Sequence, residues 1–190
     1  MAIKNTVVYI LGFVGVGKYT IAKELEKQAG FRVIDNHAFN NLIFPLFRID
    51  GTTKIPDKAW DTLIDIRKPF FDAFKTIRNK DFNFVFTNAL SECDDVDKKL
   101  YSDFEKDMEE ADATFVPVRL IIDKEENRKR ITSPDREKKM KQNSDQDIDA
   151  IHANHEVLKP SHQNTLEIDV TDISAENAAK RIIEHIEKAT

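Results

Sequence analysis

A glycine-rich segment near the N-terminus carries the residue types that bind phosphate. It reads GFVGVGKYT from Gly12 to Thr20, after an apolar run and before a helical pattern. Glycines let the backbone turn tightly and direct N–H groups at an anion, and the following helix adds the partial positive charge of its N-terminus. Lys18 supplies a full positive charge for the terminal phosphates, and Thr20 supplies a hydroxyl for Mg²⁺. The segment predicts a nucleotide phosphate-binding loop, against the alternative of a glycine-rich turn with no ligand. The residues predicted to contact the nucleotide here are Gly12, Gly15, Val16, Gly17, Lys18, Tyr19 and Thr20.

The second apolar run ends in Asp35-Asn36-His37. In an open parallel sheet, ligands lie beyond the carboxyl ends of the strands, so Asp35 is expected to face the same crevice as the loop. A carboxylate there can accept a proton from a substrate hydroxyl or hold a Mg²⁺-bound water. The alternative for Asp35 is a helix cap. His37 is a candidate substrate contact or a surface residue.

The third apolar run ends in Thr87-Asn88, where many nucleotide hydrolases carry an acidic residue. Without that residue a motor-type or unwinding ATPase is disfavoured, because such enzymes hold Mg²⁺ and orient water with acidic groups at this strand end. Thr87 and Asn88 can hydrogen-bond a substrate or a metal-bound water. The alternative is a turn that ends the strand.

Three arginines are candidates for binding anions. Arg130 ends a charged helical pattern, and Arg136 lies in the polar segment 132–146, which is expected to form a mobile cover over the reaction. The alternative for this region is a solvated charged helix. Arg67 lies within the apolar stripe of the helical pattern 57–79, a stripe that is expected to be mostly core. Burying an unpaired charge is costly, so Arg67 is expected to pair with an acidic residue or an anionic ligand.

Bulk composition limits the class of protein. The chain has 190 residues, enough for one domain over 1–190, and a formal net charge of -5 that offers no overall basic field for nucleic acid. The lone Cys93 excludes an internal disulfide framework, no apolar stretch is long enough to span a membrane, and no signal peptide is recognisable. These features predict a cytoplasmic protein.

Apolar runs alternate with amphipathic stretches, which predicts a parallel sheet covered by helices on both faces. The predicted strands are 6–11, 31–35, 82–87, 115–122 and 164–169. The predicted helices are 18–29, 37–47, 57–79, 95–110, 124–131, 145–156 and 174–188.

With its spacing Gly-x2-Gly-x-Gly-Lys-x-Thr, its second strand closing on Asp35 and a late Pro-x-Arg, the chain resembles the P-loop small-molecule kinases. That group includes shikimate kinase, gluconate kinase, chloramphenicol phosphotransferase and the adenylate kinases. The adenylate kinases likewise have one residue between the loop lysine and the threonine. The resemblance implies a three-layer α/β/α fold with a five-stranded parallel sheet in the order 2-3-1-4-5 and a short helical lid at 132–146. It implies an acceptor side at about 36–79, and Val170 and Thr171 beside the adenine.

The resemblance also implies a reaction and its cofactors. The γ-phosphoryl group of ATP would move to a small-molecule acceptor, with a hydroxyl as the expected receiving group and Mg²⁺ as cofactor. Lys18, Asp35 and Arg136 would be catalytic, and Asp35, His37, Arg67 and Asn88 would contact the acceptor. Two alternatives stay open: a nucleotide-binding ATPase or switch without an organic acceptor, and a kinase of polynucleotide or tRNA ends. The second would need a basic track, for which the only candidate is the lysine-rich stretch 136–141.

Overall fold

The computed structural model describes residues 3–48, 53–132, 148–149, 152–153 and 155–189. Its centre is one five-stranded sheet in which every neighbouring pair is parallel, in the order β2-β3-β1-β4-β5. The strands are β1 (Thr6–Leu11), β2 (Arg32–Asp35), β3 (Phe84–Asn88), β4 (Thr114–Ile121) and β5 (Leu166–Asp169). The predicted sheet and its strand order are therefore confirmed. Across the described residues, none of the helices is both long enough and apolar enough to cross a membrane.

Helices connect the strands and cover the sheet. They are α1 (Lys18–Ala29), α2 (His37–Ile43), α3 (Asp57–Ile77), α4 (Asp95–Glu110), α5 (Lys124–Ile131) and α6 (Ala175–Ala189), with a 3₁₀ turn at Phe44–Leu46. Three bounds follow from end signals that the sequence carries. Asp94 caps α4 by accepting a hydrogen bond from the N–H of Val96 at 2.8 Å, and Asp123 caps α5 through Glu125 at 2.9 Å. Gly30 ends α1 in the left-handed region, with φ of 68°.

Alternate residues of β1 face two separate cores, which is why the strand reads as a continuous apolar run. Val8 and Ile10 belong to a buried cluster that includes α1 and α6. Tyr9 and Leu11 belong to the cluster on the opposite face, with aromatic side chains from α3 and α4. The structure thus has the three layers that the sequence predicts.

Most element bounds agree with the predictions to within two residues, and two regions differ. The helix predicted at 37–47 stops at Ile43, and the chain continues as a 3₁₀ turn that contains Pro45. Proline has no N–H to donate, so it does not extend an α-helix. The helix predicted at 145–156 lies mainly outside the described residues; within that range the backbone is helical at 148–149 and 152–153 and is not helical at 155–156.

The parallel register brings the carboxyl ends of three strands to one edge of the sheet. Thr87 lies beside Asp35 on one side and beside Ile10 on the other, and Asn88 lies beside Leu11. The glycine-rich segment begins at the next residue after Leu11. Residues 12–20, Asp35 and the end of β3 therefore share one edge.

Candidate active site

Two glycines of the 12–20 loop occupy positions that disfavour any other residue, Gly12 for lack of space and Gly17 for its backbone conformation. A Cβ on Gly12 would lie 2.9 Å from Val16 Cγ1 and 3.3 Å from the carbonyl oxygen of Leu120, so the loop packs directly against β4. Gly17 precedes α1 with φ of 104°, in the left-handed region that favours glycine. These constraints turn the chain from β1 into α1 within a few residues. The amide groups of the loop are thereby placed at a helix N-terminus, a common site for anions.

Two side chains from α5, Asn127 and Arg130, donate hydrogen bonds to the backbone of the loop. Asn127 is completely buried, and its Nδ2 donates a hydrogen bond to the carbonyl of Val14 at 3.0 Å. Its Oδ1 lies 3.0 Å from His152 Nε2, and the His152 ring lies 4.4 Å from that of Phe13. Asn127 was not among the predicted site residues, because in sequence it is one polar residue in a charged helix.

Arg130 bridges the loop and the segment that follows β5. Its Nη1 donates to the carbonyl of Val16 at 3.2 Å, and its Nη2 donates to those of Val170 at 2.8 Å and Thr171 at 3.1 Å. Glu126 accepts from its Nε at 2.9 Å, and this contact lowers the pKa of the glutamate. The structure thus brings together Arg130, Val170 and Thr171, three residues predicted to lie at the nucleotide. It also gives the guanidinium a bridging position between two backbone segments.

Lys18 and Thr20 lie at the mouth of the loop. Lys18 Nζ donates to the carbonyls of Gly12 at 2.7 Å and Phe13 at 2.8 Å, so the ammonium group is folded onto the loop that it would serve. Thr20 is exposed and lines the cleft together with Tyr19. Its hydroxyl donates no hydrogen bond to any residue that the structure describes. A phosphate and its metal ion would find an ammonium group and a hydroxyl on this one surface.

Asp35 is held in place from the neighbouring strand. The hydroxyl of Thr87, a buried residue, donates to Asp35 Oδ1 at 2.5 Å and accepts from the N–H of Asn36 at 3.4 Å. His37 Nδ1 lies 3.3 Å from the same carboxylate oxygen. The Asp35 side chain is 17% exposed, and that exposed part faces the cleft. Asp35 therefore has the position of a base or an anchor for a group bound in front of the loop. The N-cap position of α2 falls on Asn36, whose side chain makes no capping hydrogen bond, and not on Asp35.

Arg67 extends from α3 into the cleft and meets amide oxygens. Its Nη2 donates to Asn36 Oδ1 at 2.7 Å and to Asn40 Oδ1 at 2.8 Å, and its Nε is buried without an acceptor. Nη1 donates to none of the described residues. No described carboxylate forms an ion pair with this guanidinium, and burial lowers its pKa. Of the two predicted partners, an acidic residue and an anionic ligand, the first is absent from the described part of the chain.

A cavity of about 1180 Å³ joins these groups. One end is lined by Arg130 and the loop residues Gly15, Gly17, Lys18, Tyr19 and Thr20, and the other by Asp35, Arg67 and side chains of α3 and α4. Part of the α3 stripe that was expected to be core instead lines this cavity, since Trp60 is 45% exposed and Ile64 is 38% exposed. The cleft therefore has a cationic end at the loop and an opposite end where polar groups such as Asp35 and Arg67 lie beside apolar side chains.

Two further groups near Arg67 were not predicted. Asp97, from the first turn of α4, lines the cleft and accepts from the N–H of Ser91 at 2.8 Å, and burial raises the pKa of its carboxyl. Tyr9 accepts a hydrogen bond from Asn88 Nδ2 at 3.0 Å, and burial raises the pKa of its phenol to about 12. Only the fold shows that Asp97 and Tyr9 approach Arg67, since they come from α4 and β1. Titratable groups with shifted pKa values that lie close together beside a cleft are typical of functional sites.

The predicted site residues fall into two groups. The loop residues, Asp35, His37, Arg67, Asn88 and Arg130 all line the one cleft except Gly12 and Val16, which lie within the loop beneath it. Arg136 and the rest of the predicted lid from residue 133 onward lie outside the described residues. Among the residues that the structure describes, no group of three acidic, histidine or cysteine side chains could hold a metal ion.

Comparison with solved structures shows what fold these residues share. No family model matches the chain, and no curated protein matches it. Among 149 matching chains of solved structures, a sugar kinase from Janibacter sp. HTCC2649 is 16% identical, with 96% of this chain and 94% of its own aligned at a TM-score of 0.63. A gluconokinase from Sinorhizobium meliloti 1021 is 12% identical over 97% of this chain and 93% of its own, at a TM-score of 0.61.

An APS kinase from Mycobacterium tuberculosis, solved with AMPPNP and APS, is 15% identical over 97% of this chain and 98% of its own, at a TM-score of 0.55. The fold is that of the P-loop kinases. At these identities the likeness is one of fold, and it confirms the resemblance seen in the sequence at that level. The alignment spans nearly the whole of each chain, so it includes residues 36–79 as well as the loop.

Proposed function

We propose that this protein is an ATP-dependent phosphotransferase that moves the γ-phosphoryl group of ATP to a hydroxyl of a small-molecule acceptor. One observation carries the proposal: Asp35, held by Thr87, and the loop with Lys18 face a single cleft that has room for two ligands. A hydrolase needs only the phosphate end of such a cleft. The sugar kinase, gluconokinase and APS kinase that share the fold support a phosphotransferase role.

At the nucleotide end, the chain's own groups bind and neutralise phosphate. Lys18 would leave the carbonyls of Gly12 and Phe13 and bind the β- and γ-phosphates, with the loop amides adding hydrogen bonds. Thr20 and phosphate oxygens would hold Mg²⁺, which neutralises charge on the phosphates when bound. AMPPNP in the APS kinase structure supports a nucleotide at this end. Arg130 would keep the loop and the Val170–Thr171 segment, the proposed neighbour of adenine, in register.

At the acceptor end, Asp35 would accept the proton of the acceptor hydroxyl. The hydroxyl oxygen attacks the γ-phosphorus, the bond from that phosphorus to the bridging oxygen breaks, and ADP leaves. Thr87 orients the carboxylate for this step, and His37 and Asn88 would contact the acceptor beside it. Arg67, which has no carboxylate partner among the described residues, would bind an anionic group of the acceptor. Arg136 would close over the transferred group, as the family resemblance implies.

The two alternatives make different demands on this cleft. A nucleotide-binding ATPase or switch has no use for an acceptor end, so Asp35 and Arg67 would have no ligand. A kinase of polynucleotide ends would need basic residues leading to the cleft, and the stretch 136–141 that would supply them lies outside the described residues. No described feature favours either alternative over a small-molecule kinase.

A first experiment tests nucleotide binding. Calorimetric titration of the wild type with AMPPNP and Mg²⁺ should give a measurable Kd, and Lys18→Ala should weaken it about tenfold or more, because a charge-assisted contact to phosphate is lost. Lys27→Ala is the matched control, since Lys27 lies on the same helix and is 71% exposed. Unchanged affinity in Lys18→Ala would contradict the proposed nucleotide site.

A second experiment separates a kinase from an ATPase. ADP formation is measured with ATP and Mg²⁺ alone, and then with a library of hydroxylated metabolites. A kinase should hydrolyse ATP slowly until its acceptor is present, because water is a poor substitute for a bound hydroxyl. Rapid hydrolysis that no compound in the library accelerates would favour the ATPase alternative.

A further inference from the structure

A second cavity lies between α3 and α4, on the far side of Arg67 from the phosphate loop. It has a volume of about 440 Å³, and we refer to it as the α3–α4 pocket. Six residues line both this pocket and the main cleft: Asn36, Ile64, Arg67, Thr87, Asn88 and Leu100. The two cavities therefore meet at the acceptor end, next to Asp35. A molecule bound in front of Asp35 can extend past Arg67 into the pocket.

The walls of the pocket are aromatic. Phe39, Phe71, Phe86 and Phe104 line it, with Phe71 packed against Phe86 and Phe104 at centroid distances of 5.8 and 5.3 Å. Charged side chains lie at its outer rim, and several of them form ion pairs within the protein. Lys75 contacts Asp107 at 2.7 Å and Glu110 at 3.0 Å, which raises the pKa of the lysine. The interior thus suits an apolar group better than an ion.

Polar side chains at the junction are already hydrogen-bonded within the protein. Asn36 and Asn40 offer their Oδ1 atoms to Arg67, and Thr87 donates to Asp35. Asn88 donates to Tyr9 and accepts from the N–H of Ala89 at 2.9 Å. A ligand with many hydroxyls needs a separate partner for each of them, and few described side chains here are available. The exposed Trp60 and Ile64 on the main cleft add to the apolar surface.

We infer that the α3–α4 pocket is a subsite for an aromatic or branched apolar group of the acceptor. The acceptor is then an amphipathic anion: its hydroxyl lies at Asp35, its anionic group at Arg67 and its apolar group between α3 and α4. It is not a polyhydroxylated sugar acid. The identification of the occupant as the acceptor rests on the proposed function, whereas the preference of the pocket for an apolar group rests on its walls.

Matched probes test this inference in the presence of AMPPNP and Mg²⁺. 3-Phenyllactate carries a hydroxyl, a carboxylate and a ring, lactate lacks the ring, 3-phenyl-1,2-propanediol lacks the carboxylate, and gluconate replaces the ring by hydroxyls. Calorimetry should give 3-phenyllactate a Kd at least about tenfold below those of lactate and gluconate, because ring burial is strongly favourable. Trp60, the only tryptophan of the chain, provides a fluorescence signal from the same cleft.

Substitutions locate the preference. Leu100→Phe narrows the junction and should abolish the tenfold advantage of the ring, while Arg67→Gln should abolish the advantage of 3-phenyllactate over the propanediol. Ile77→Phe is the matched control, because Ile77 is 80% exposed and lines neither cavity. Retained AMPPNP affinity in Leu100→Phe establishes that the variant is folded; should it be lost, Ile34→Phe, in the wall of the pocket, replaces it.

Equal binding of 3-phenyllactate and gluconate, or a ring advantage that survives in both pocket variants, overturns the inference. Failure of the proposed function looks different, since the wild type would then either not bind AMPPNP or hydrolyse ATP rapidly with no acceleration by any compound of the library. In that event, the same titrations without nucleotide still show whether the α3–α4 pocket prefers an apolar group. A ring advantage that Leu100→Phe removes supports an apolar subsite, and the absence of such an advantage overturns it.

Discussion

The two ends of the cleft are built in different ways. The phosphate end is made of backbone, with Gly12 packed against β4 and the loop fixed from behind by Asn127 and Arg130. The acceptor end is made of side chains from β2, β3, α3 and α4, among them Asp35 and Arg67. A phosphate presents the same shape and charge in every nucleotide, so a local backbone motif can bind it. An acceptor differs from one kinase to another, so its site is assembled from separate elements.

Because the two ends are built differently, we expect substitutions at each end to alter different properties of the protein. Changes at the phosphate end are expected to alter nucleotide affinity and stability together, because the loop is part of the packing around β1 and β4. Changes at the acceptor end are expected to alter turnover with little effect on nucleotide binding. A variant that fails to follow this division shows where the two ends are coupled.

Asp35→Asn should have the largest effect. If Asp35 accepts the proton of the acceptor hydroxyl, kcat with the acceptor found by the library screen should fall about 100- to 10,000-fold. The Kd of AMPPNP should stay unchanged, since an asparagine oxygen can still accept the hydrogen bond from Thr87. Asp112→Asn is the control, because Asp112 lies just before β4 at the other end of the sheet, with φ of 55°, which asparagine tolerates. Full turnover in Asp35→Asn would exclude the carboxylate as base.

Thr87→Val should have the next largest effect. The substitution keeps the shape of a buried residue but removes the hydroxyl that donates to Asp35 at 2.5 Å. A hydrogen bond to a charged group is worth about 1.5–3 kcal/mol, so kcat should fall about 10- to 100-fold. Thr87→Ser should restore most of the activity, because the donor returns. Equal losses in the valine and serine variants would point to packing instead of positioning.

Asn127→Leu tests the phosphate end. The change removes a fully buried donor to the Val14 carbonyl, which should lower the free energy of unfolding by about 1–3 kcal/mol. Urea unfolding measures this loss, and the Kd of AMPPNP should rise in the same variant. Asn177→Leu, at an exposed position of α6, is the control. A lower free energy of unfolding with an unchanged Kd of AMPPNP would show that Asn127 stabilises the fold without affecting nucleotide binding by the loop.

The geometry of the 12–20 loop was predictable from the sequence because its signals are contiguous. Gly12 to Thr20 occupy one short segment, and the strand order follows from the fold that this motif accompanies. Helices with polar caps or a terminal glycine, such as α4 with Asp94 and α5 with Asp123, have the predicted bounds. In each of these cases, the residues that determine the structure are within a few positions of one another.

The acceptor end was less predictable because it depends on contacts between distant elements. The stripe of α3 shows which residues are apolar, but periodicity does not say whether a core or a cleft covers them. Leu63 is 1% exposed, whereas Trp60, one turn earlier, is 45% exposed in the cleft. Arg67 was expected to need a partner, but the amide oxygens of Asn36 and Asn40 could be identified only once α2 was seen to pack on α3.

Asp97→Asn should give the smallest effect. It tests whether the ionised Asp97 carboxylate at the acceptor end destabilises the folded protein. Burial raises the pKa of Asp97, so the folded state favours the protonated carboxyl. The protonated carboxyl of Asp97 contributes fully to stability at pH values below its pKa in the unfolded chain. This contribution is lost as pH rises through its pKa in the folded state. The variant cannot ionise and keeps an oxygen for the Ser91 N–H, so its free energy of unfolding relative to wild type should rise from pH 4 to pH 7. Urea unfolding across that range measures the difference, with the fully exposed Asp95→Asn as control. Parallel curves for wild type and Asp97→Asn would mean that the carboxylate is compensated in the cleft, which would make its neighbour Arg67 a structural partner instead of a group held ready for an anion.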